Sequence, residues 1–162
     1  LGEIHLPVVL DADGINALAG HMDEWERRRG RVTVLTPHEG EFLRVGGNLS
    51  QGRTAAAEDF ARRSEAVVVL KGPGTVVAGP DGRCRVNTTG NCGMAKGGSG
   101  DVLSGVVLAL LGLGMDAFDA CCCAVWLHGR AGDLAAQEKG QWGMTPTDLL
   151  ERLPQALREV TE

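Results

Sequence analysis

Apolar and polar positions along the chain follow two alternating rhythms. Short apolar runs occur at Pro7–Leu10, at Val32–Leu35 with only Thr33 interrupting, and at Ala66–Leu70. Runs this short, with so little polar interruption, predict strands buried on both faces. Elsewhere apolar residues recur at helical spacing. Residues 51–64 carry Ala56, Ala57 and Phe60 on one side, which predicts a helix with one buried face. Val102–Leu113 and about Asp119–Glu138 predict two more, with Gly140 beyond the end of the second. The punctuation agrees with the rhythm. Asp13 can cap a short helix that ends near Gly20. Thr36-Pro37-His38-Glu39 fits a capping box with Pro at the first helical position and Glu at the third. Thr145-Pro146 opens a last helical stretch, which Pro154 is expected to kink or divide. Thr75–Ala78 and Arg83–Val86, joined by Gly79-Pro80-Asp81-Gly82, read as a hairpin. Strand and helix alternate early and helices dominate late, which predicts an α/β layered fold with a mostly parallel sheet.

Such sheets bind ligands beyond the carboxyl ends of their strands. Asp11, His38 and Lys71 each follow a predicted strand end, so all three are expected on one rim. The segment Asn91–Asp101 reads Asn-Cys-Gly-Met-Ala-Lys-Gly-Gly-Ser-Gly-Asp and runs straight into the apolar stretch from Val102. A glycine-rich loop that opens a helix presents N–H groups without helical partners at the positive end of the helix dipole, which makes an anion site. This one is neither a P-loop nor the dinucleotide fingerprint. Asp101 at its mouth would repel a bound phosphate, but it suits a group that takes a proton from a hydroxyl about to receive a phosphoryl. The other reading is that Ser99 or Asp101 only caps the helix. His38, in the first turn after a strand, reads on physics alone as a structural donor.

Composition narrows the choice. At 162 residues and 43% apolar, the chain can bury one core. Its formal charge of −5 gives no basic field for nucleic acid or an anionic membrane. The 24 glycines are about twice the usual share and lie in turns, which suggests backbone pressed close to a ligand. The five cysteines form no CxxC pair, and Cys121, Cys122 and Cys123 point in different directions on a helix, so they are expected as buried free thiols in a reducing cytoplasm. No apolar run is long enough to span a bilayer as a helix.

Taken together, six stretches resemble the NAD(P)H-hydrate dehydratases of the ribokinase-like superfamily. They are Asp11–Leu18, Leu35–Phe42, Val69–Thr75, Asn87–Leu103, Leu127–Asp133 and Thr145–Asp148. Gly-Ser-Gly-Asp alone indicates only a ribokinase-like enzyme. Thr-Pro-His together with the longer glycine loop is far more specific. The resemblance implies a three-layer fold with helices on both faces of the sheet, and residues 1–162 as one domain matching the C-terminal portion of a family member. It implies repair of NADHX or NADPHX, the hydrated dinucleotides, at the expense of ADP, giving AMP and phosphate. By the same resemblance Asp101 is the catalytic base, and His38, Glu41 and Asp101 meet the hydrated dinucleotide. The nucleotide falls to Lys71, Gly72, Pro73, Gly74 and Thr75, and to Asn91, Gly93, Met94, Ala95, Lys96, Gly97, Gly98, Ser99 and Gly100. Beside this, the turn reading of Lys71–Thr75 stays open, Glu41 can simply face solvent, and His128 and Arg130 read as structural residues of a helix.

The resemblance further implies Mg2+ arriving with the nucleotide, a cytoplasmic homo-oligomer, and a fused or separate hydrate epimerase as partner. Two residues depart from the family pattern: Cys92 replaces a common Pro, and Lys96 replaces a small hydroxyl residue, adding positive charge beside the phosphates. Family members also continue before the point matching Leu1, so this chain is expected to be an N-terminally incomplete enzyme. The rival readings are a small-molecule kinase of the same superfamily, acting on a vitamin precursor, and a catalytically silent nucleotide-binding module.

Overall fold

The computed structural model describes residues 1–21, 25 and 27–161. Five strands form one sheet: β1 (Val8–Leu10), β2 (Thr33–Leu35), β3 (Val67–Leu70), β4 (Val76–Ala78) and β5 (Cys84–Val86). They lie side by side in chain order. β1, β2 and β3 are parallel, while β4 runs against both β3 and β5. Four of the five strands therefore point the same way, as the sequence predicts, and the exception is one arm of the expected hairpin.

Helices cover both faces. α1 (Ala12–Asn16), α2 (Glu39–Arg44) and α3 (Arg53–Ser64) lie on one side, and α4 (Ser99–Gly112) and α5 (Ala117–Gly143) on the other. The side-chain alternation of a strand sorts the core between them. Leu35, Val68, Leu70, Val76 and Ala78 join Ile15, Phe42 and Phe60 in one cluster. Their strand neighbours Val34, Val67, Val69 and Val77 join Leu103, Val107, Leu111 and Cys121 in the other. Every residue of β3 is buried, which is why it reads as an uninterrupted apolar run. α6 (Pro146–Thr161) packs on α5 through Leu149, Leu153 and Ala156 against Leu127, Ala131 and Leu134.

Several boundaries differ from the expected ones. Asp11, not Asp13, caps α1, accepting from the Ala12 N–H. α5 starts slightly earlier than its periodicity suggests, and a non-helical Gly140 (φ 71°) breaks it where the sequence places its end, with a short helical piece continuing to Gly143. Pro154 does not divide α6, which runs on to Thr161. Pro154 sits on the exposed side, and the packing of Leu149, Leu153 and Ala156 on α5 holds the helix together across the missing N–H. All five cysteines are free, but only Cys121 is fully buried, and Cys92 is exposed. Burial pushes the Cys122 thiol up to about 11 and raises Cys121 further, so neither is a ready nucleophile. Among the described residues, no helix is long and apolar enough to cross a membrane.

Candidate active site

The rim forms where β1, β2 and β3 end. Beyond β2 the chain stays extended: Thr36 N–H donates to Leu10 O (3.1 Å), Lys71 N–H donates to Pro37 O (2.8 Å), and His38 pairs with Lys71 in an isolated parallel bridge. This sheet-like bonding delays the helix by two residues. The capping box exists, but it is built from His38 and Glu41 rather than Thr36 and Glu39. His38 Nδ1 accepts from Gly40 N–H (3.0 Å) and Glu41 N–H (3.3 Å), and Glu41 Oε2 accepts from His38 N–H (2.8 Å). Glu41 is thus buried, against the solvent-facing alternative, while the His38 ring stays 58% exposed beside it.

Lys71 and Asp11 meet across the sheet ends, with Lys71 Nζ 2.6 Å from Asp11 Oδ1 and 3.9 Å from Glu41 Oε2. Burial raises the Asp11 carboxyl, but the Lys71 ammonium and the bonds from Ala12 and Thr36 outweigh that and hold it below its ordinary value. The next residue, Ala12, has φ 45°, in the left-handed region. For a residue with a Cβ that conformation costs about 1–2 kcal/mol.

The glycine loop arrives at the same rim. Gly98, at φ 97°, is the N-cap of α4 and has no side chain to satisfy the first turn. Val102 N–H is the first to find a carbonyl within the turn, Gly98 O at 3.3 Å. Gly100 and Asp101, ahead of it, point N–H groups out of the helix end. Ser99 N–H, expected to hold a phosphoryl, instead donates to Lys96 O (3.2 Å). Ser99 O receives the His128 Nε2 at 2.9 Å. Because the carbonyl can only accept, this nitrogen carries the proton. Burial first, and then the nearby Lys71 charge, lower the His128 pKa. That keeps the ring neutral and suited to this single task.

The residues before the helix are pinned to α5. Thr89 Oγ1 donates to Trp126 O (3.0 Å), and Asp133 accepts from Gly90 N–H and Asn91 Nδ2, both at 2.9 Å. Contact this close requires bare glycines on α5: a Cβ on Gly129 would lie 2.2 Å from Thr89 Oγ1, and one on Gly132 would lie 2.3 Å from Met94 Sδ. Across the opening, Arg53 Nη2 donates to Leu70 O (2.9 Å) and its Nη1 to Gly74 O (3.2 Å), which holds the loop after β3.

A cavity of about 730 Å³ lies between these walls, a size typical of small-molecule sites. Of the residues singled out by sequence, His38, 71–75, Asn91, 94–96, Ser99 and Gly100 line it. Glu41, Gly93, Gly97, Gly98 and Asp101 do not. Glu41 stands behind His38. Gly93 is buried against Gln141, where a Cβ would meet the carbonyl oxygen at 2.5 Å. Asp101 is exposed in the first turn of α4, next to Gly100. Lys96 lines the wall, but its ammonium is turned to Trp142 O (3.0 Å) and Met144 O (2.5 Å) rather than offered to a phosphate. The sequence reading assigns no part to Thr89, which lines the cavity, or to Asp133, which holds the loop, while His128, read as structural, does bond the loop backbone and also lines the cavity. Gly129 and Gly132, bare positions inside a helix, signal that backbone packs closely there but do not name the residues it meets.

An α/β/α sandwich whose sheet ends face a glycine loop at a helix start is the ribokinase-like arrangement. A ribokinase-like superfamily protein from Enterococcus faecalis matches with a TM-score of 0.80 and 26% identity over 94% of this chain and 52% of that one. The chain belongs to the NAD(P)H-hydrate dehydratase family, whose model matches residues 2–155. It is 45% identical to the bifunctional NAD(P)H-hydrate repair enzyme of Thermofilum pendens, over 98% of this chain and 31% of that protein. The ADP/ATP-dependent NAD(P)H-hydrate dehydratase of Bacillus subtilis, co-crystallised with ATP and Mg2+, matches with a TM-score of 0.82 and 38% identity over 96% of this chain and 55% of that one. The chain therefore spans about a third of the first relative and just over half of the second.

Proposed function

We propose that residues 1–162, as one domain corresponding to the C-terminal portion of the family's enzymes, carry the nucleotide site and reacting edge of an ADP-dependent NAD(P)H-hydrate dehydratase. The observation that carries this reading is the glycine loop opening α4, with Asp101 in its first turn, set against a cavity that Lys71–Thr75 closes from the other side. ADP occupies the cavity, its phosphates directed at the N–H groups of the helix start. The hydroxyl on the hydrated nicotinamide ring lies on the His38 and Glu41 side. Asp101 takes the proton of that hydroxyl as its oxygen attacks the terminal phosphorus of ADP. The phosphorus–oxygen bond to AMP breaks and AMP leaves. The phosphorylated oxygen then departs as phosphate, a far better leaving group than hydroxide, the neighbouring ring carbon gives up a proton to solvent, and the ring double bond is restored. N–H groups at the helix start spread the charge of the phosphoryl in transit. The exposure of Asp101 and its place outside the cavity wall suit a base that works at the edge between two substrates.

Among the described residues, no group of three or more His, Cys, Asp or Glu side chains gathers to hold a metal. Those described residues offer no cage for Mg2+. A cytoplasmic setting, a symmetric assembly and a hydrate epimerase partner belong to the same reading. The bifunctional name of the Thermofilum pendens relative supports the last.

The test is recovery of dihydronicotinamide absorbance from purified NADHX with ADP or ATP and Mg2+, using this chain and a version extended to the length of its relatives. Recovery with ADP in the extended version supports the dehydratase. A folded extended version that ignores NADHX but phosphorylates a vitamin precursor overturns it in favour of a kinase.

A further inference from the structure

We propose that Asp11 is a positioning residue of the nucleotide site, acting through Lys71: it fixes the Lys71 ammonium against the glycine loop, where the cavity meets the His38–Glu41 cap. This rests on the reading of the cavity as a nucleotide site.

Three parts of the chain that are distant in sequence converge on the pair. Asp11 follows β1, Lys71 follows β3, and Gly100 lies in the first turn of α4. Asp11 Oδ1 takes Lys71 Nζ at 2.6 Å, and Asp11 Oδ2 accepts from Ser104 Oγ at 3.2 Å, one turn along α4 from Gly100. The loop backbone rests directly on the pair. A Cβ on Gly100 would lie 3.1 Å from Asp11 Oδ2, a tight contact, and 3.5 Å from Lys71 Nζ, an ordinary one, so the loop packs against both members of the pair.

The charges make sense only together. A lone carboxylate beside an anion site would repel the phosphates, and a lone lysine on its flexible stem would follow any phosphate oxygen in reach. Paired, the carboxylate is neutralised and the ammonium is held at one point. An ammonium has three donors. Asp11 uses one, and Glu41 Oε2 at 3.9 Å lies beyond hydrogen-bond reach, so donors remain for an oxygen in the cavity that Lys71 lines. The backbone gives separate support. Asp11 Oδ1 also accepts from Ala12 N–H at 2.9 Å, and Ala12 is held at φ 45°, a conformation that side-chain-bearing residues avoid. The fold keeps that local strain where it fixes the direction of the Asp11 carboxylate.

The chain has only three lysines, Lys71, Lys96 and Lys139, so their ammonium signals can be resolved in a proton–nitrogen NMR spectrum. Loss of one signal in Lys71→Ala assigns it. The expected result is a Lys71 ammonium protected from exchange, shifted by added ADP, and lost in Asp11→Asn while the signals of Lys96 and Lys139 persist. A Lys71 signal unchanged in Asp11→Asn, or untouched by ADP, overturns the proposal. If Asp11→Asn fails to fold, Ser104→Ala frees one oxygen of Asp11 and is expected to broaden the Lys71 signal alone; an unbroadened signal there overturns the proposal as well. The readout is independent of turnover. A Lys71 signal that responds to ADP and to Asp11→Asn, in a protein that never restores NADHX, leaves this inference standing and removes the dehydratase reading.

Discussion

Asp101 carries its proposed role almost without structural duties. It is exposed, and the helix start around it is organised by Gly98 rather than by its carboxylate. Asp101→Asn is therefore expected to leave the melting temperature nearly unchanged and to lower NADHX turnover by about 10²–10⁴-fold, the usual contribution of a general base. Near-normal turnover in that variant would remove Asp101 from the mechanism. His128 is the opposite case, a residue whose chemistry is spent on structure. Its folded pKa lies below the ordinary 6.5 because burial disfavours the charged ring. The unfolded chain takes up a proton near 6.5 that the folded site resists. Its stabilising contribution is complete above that pH and is lost as pH falls through it toward the lower folded value. Melting temperatures measured between about pH 7 and pH 5 should fall for the native protein, and should fall less in His128→Gln. Parallel curves for the two proteins would show that His128 is not what titrates.

Among the elements, α5 organises the site without supplying the proposed proton transfer. Gly129→Ala forces a methyl into Thr89, whose side-chain and backbone atoms would lie 2.2–2.8 Å away. Overpacking of this kind costs about 1–3 kcal/mol. Because the strain falls on the segment leading to Asn91, calorimetry should also show weaker ADP binding; normal affinity in a destabilised variant would mean that the segment does not shape the cavity. This division of labour explains what the sequence revealed. β3 is legible because continuous burial writes itself as continuous apolar residues, and β2 nearly so, with Thr33 its one polar residue. The rim was legible because strand ends are positions in the chain, so Asp11, His38 and Lys71 could be placed together before their contacts were known. The start of α2 was misplaced because the bonds from Thr36 to Leu10 and from Lys71 to Pro37 are long-range and override a local capping signal. Thr145 and Asp148 have no such competitor. Asp148 accepts from Thr145 N–H at 2.8 Å, and the expected cap of α6 forms where it was placed. Asp133 was missed because its partners lie forty-odd residues upstream, at Gly90 and Asn91, and nothing local marks that pairing.

At the scale of the whole molecule, α4 is apolar nearly all round but is covered on one side only. Leu103, Val107 and Leu111 are buried, whereas Gly105, Leu108, Ala109 and Gly112 are exposed. A helix of that composition calls for a covering on its second face. The chain studied alone should self-associate, and Leu108→Lys should reduce that association in sedimentation while leaving ADP binding intact. Unchanged sedimentation would locate the sticky surface elsewhere, with the fully exposed Trp142 (98%) the next place to look. The order of the strands has a consequence of another kind. β1 to β5 lie side by side in the order in which they are made. A chain emerging from the ribosome therefore meets each neighbouring strand already in place, and the helices of the first face follow their strands closely. The second face has no such luck. Val34, Val67, Val69 and Val77 wait for Leu103 and everything after it. Until Val125 is made, these five strands lack the residues that cover their second face, and that interval is when this sheet is expected to be most prone to aggregate.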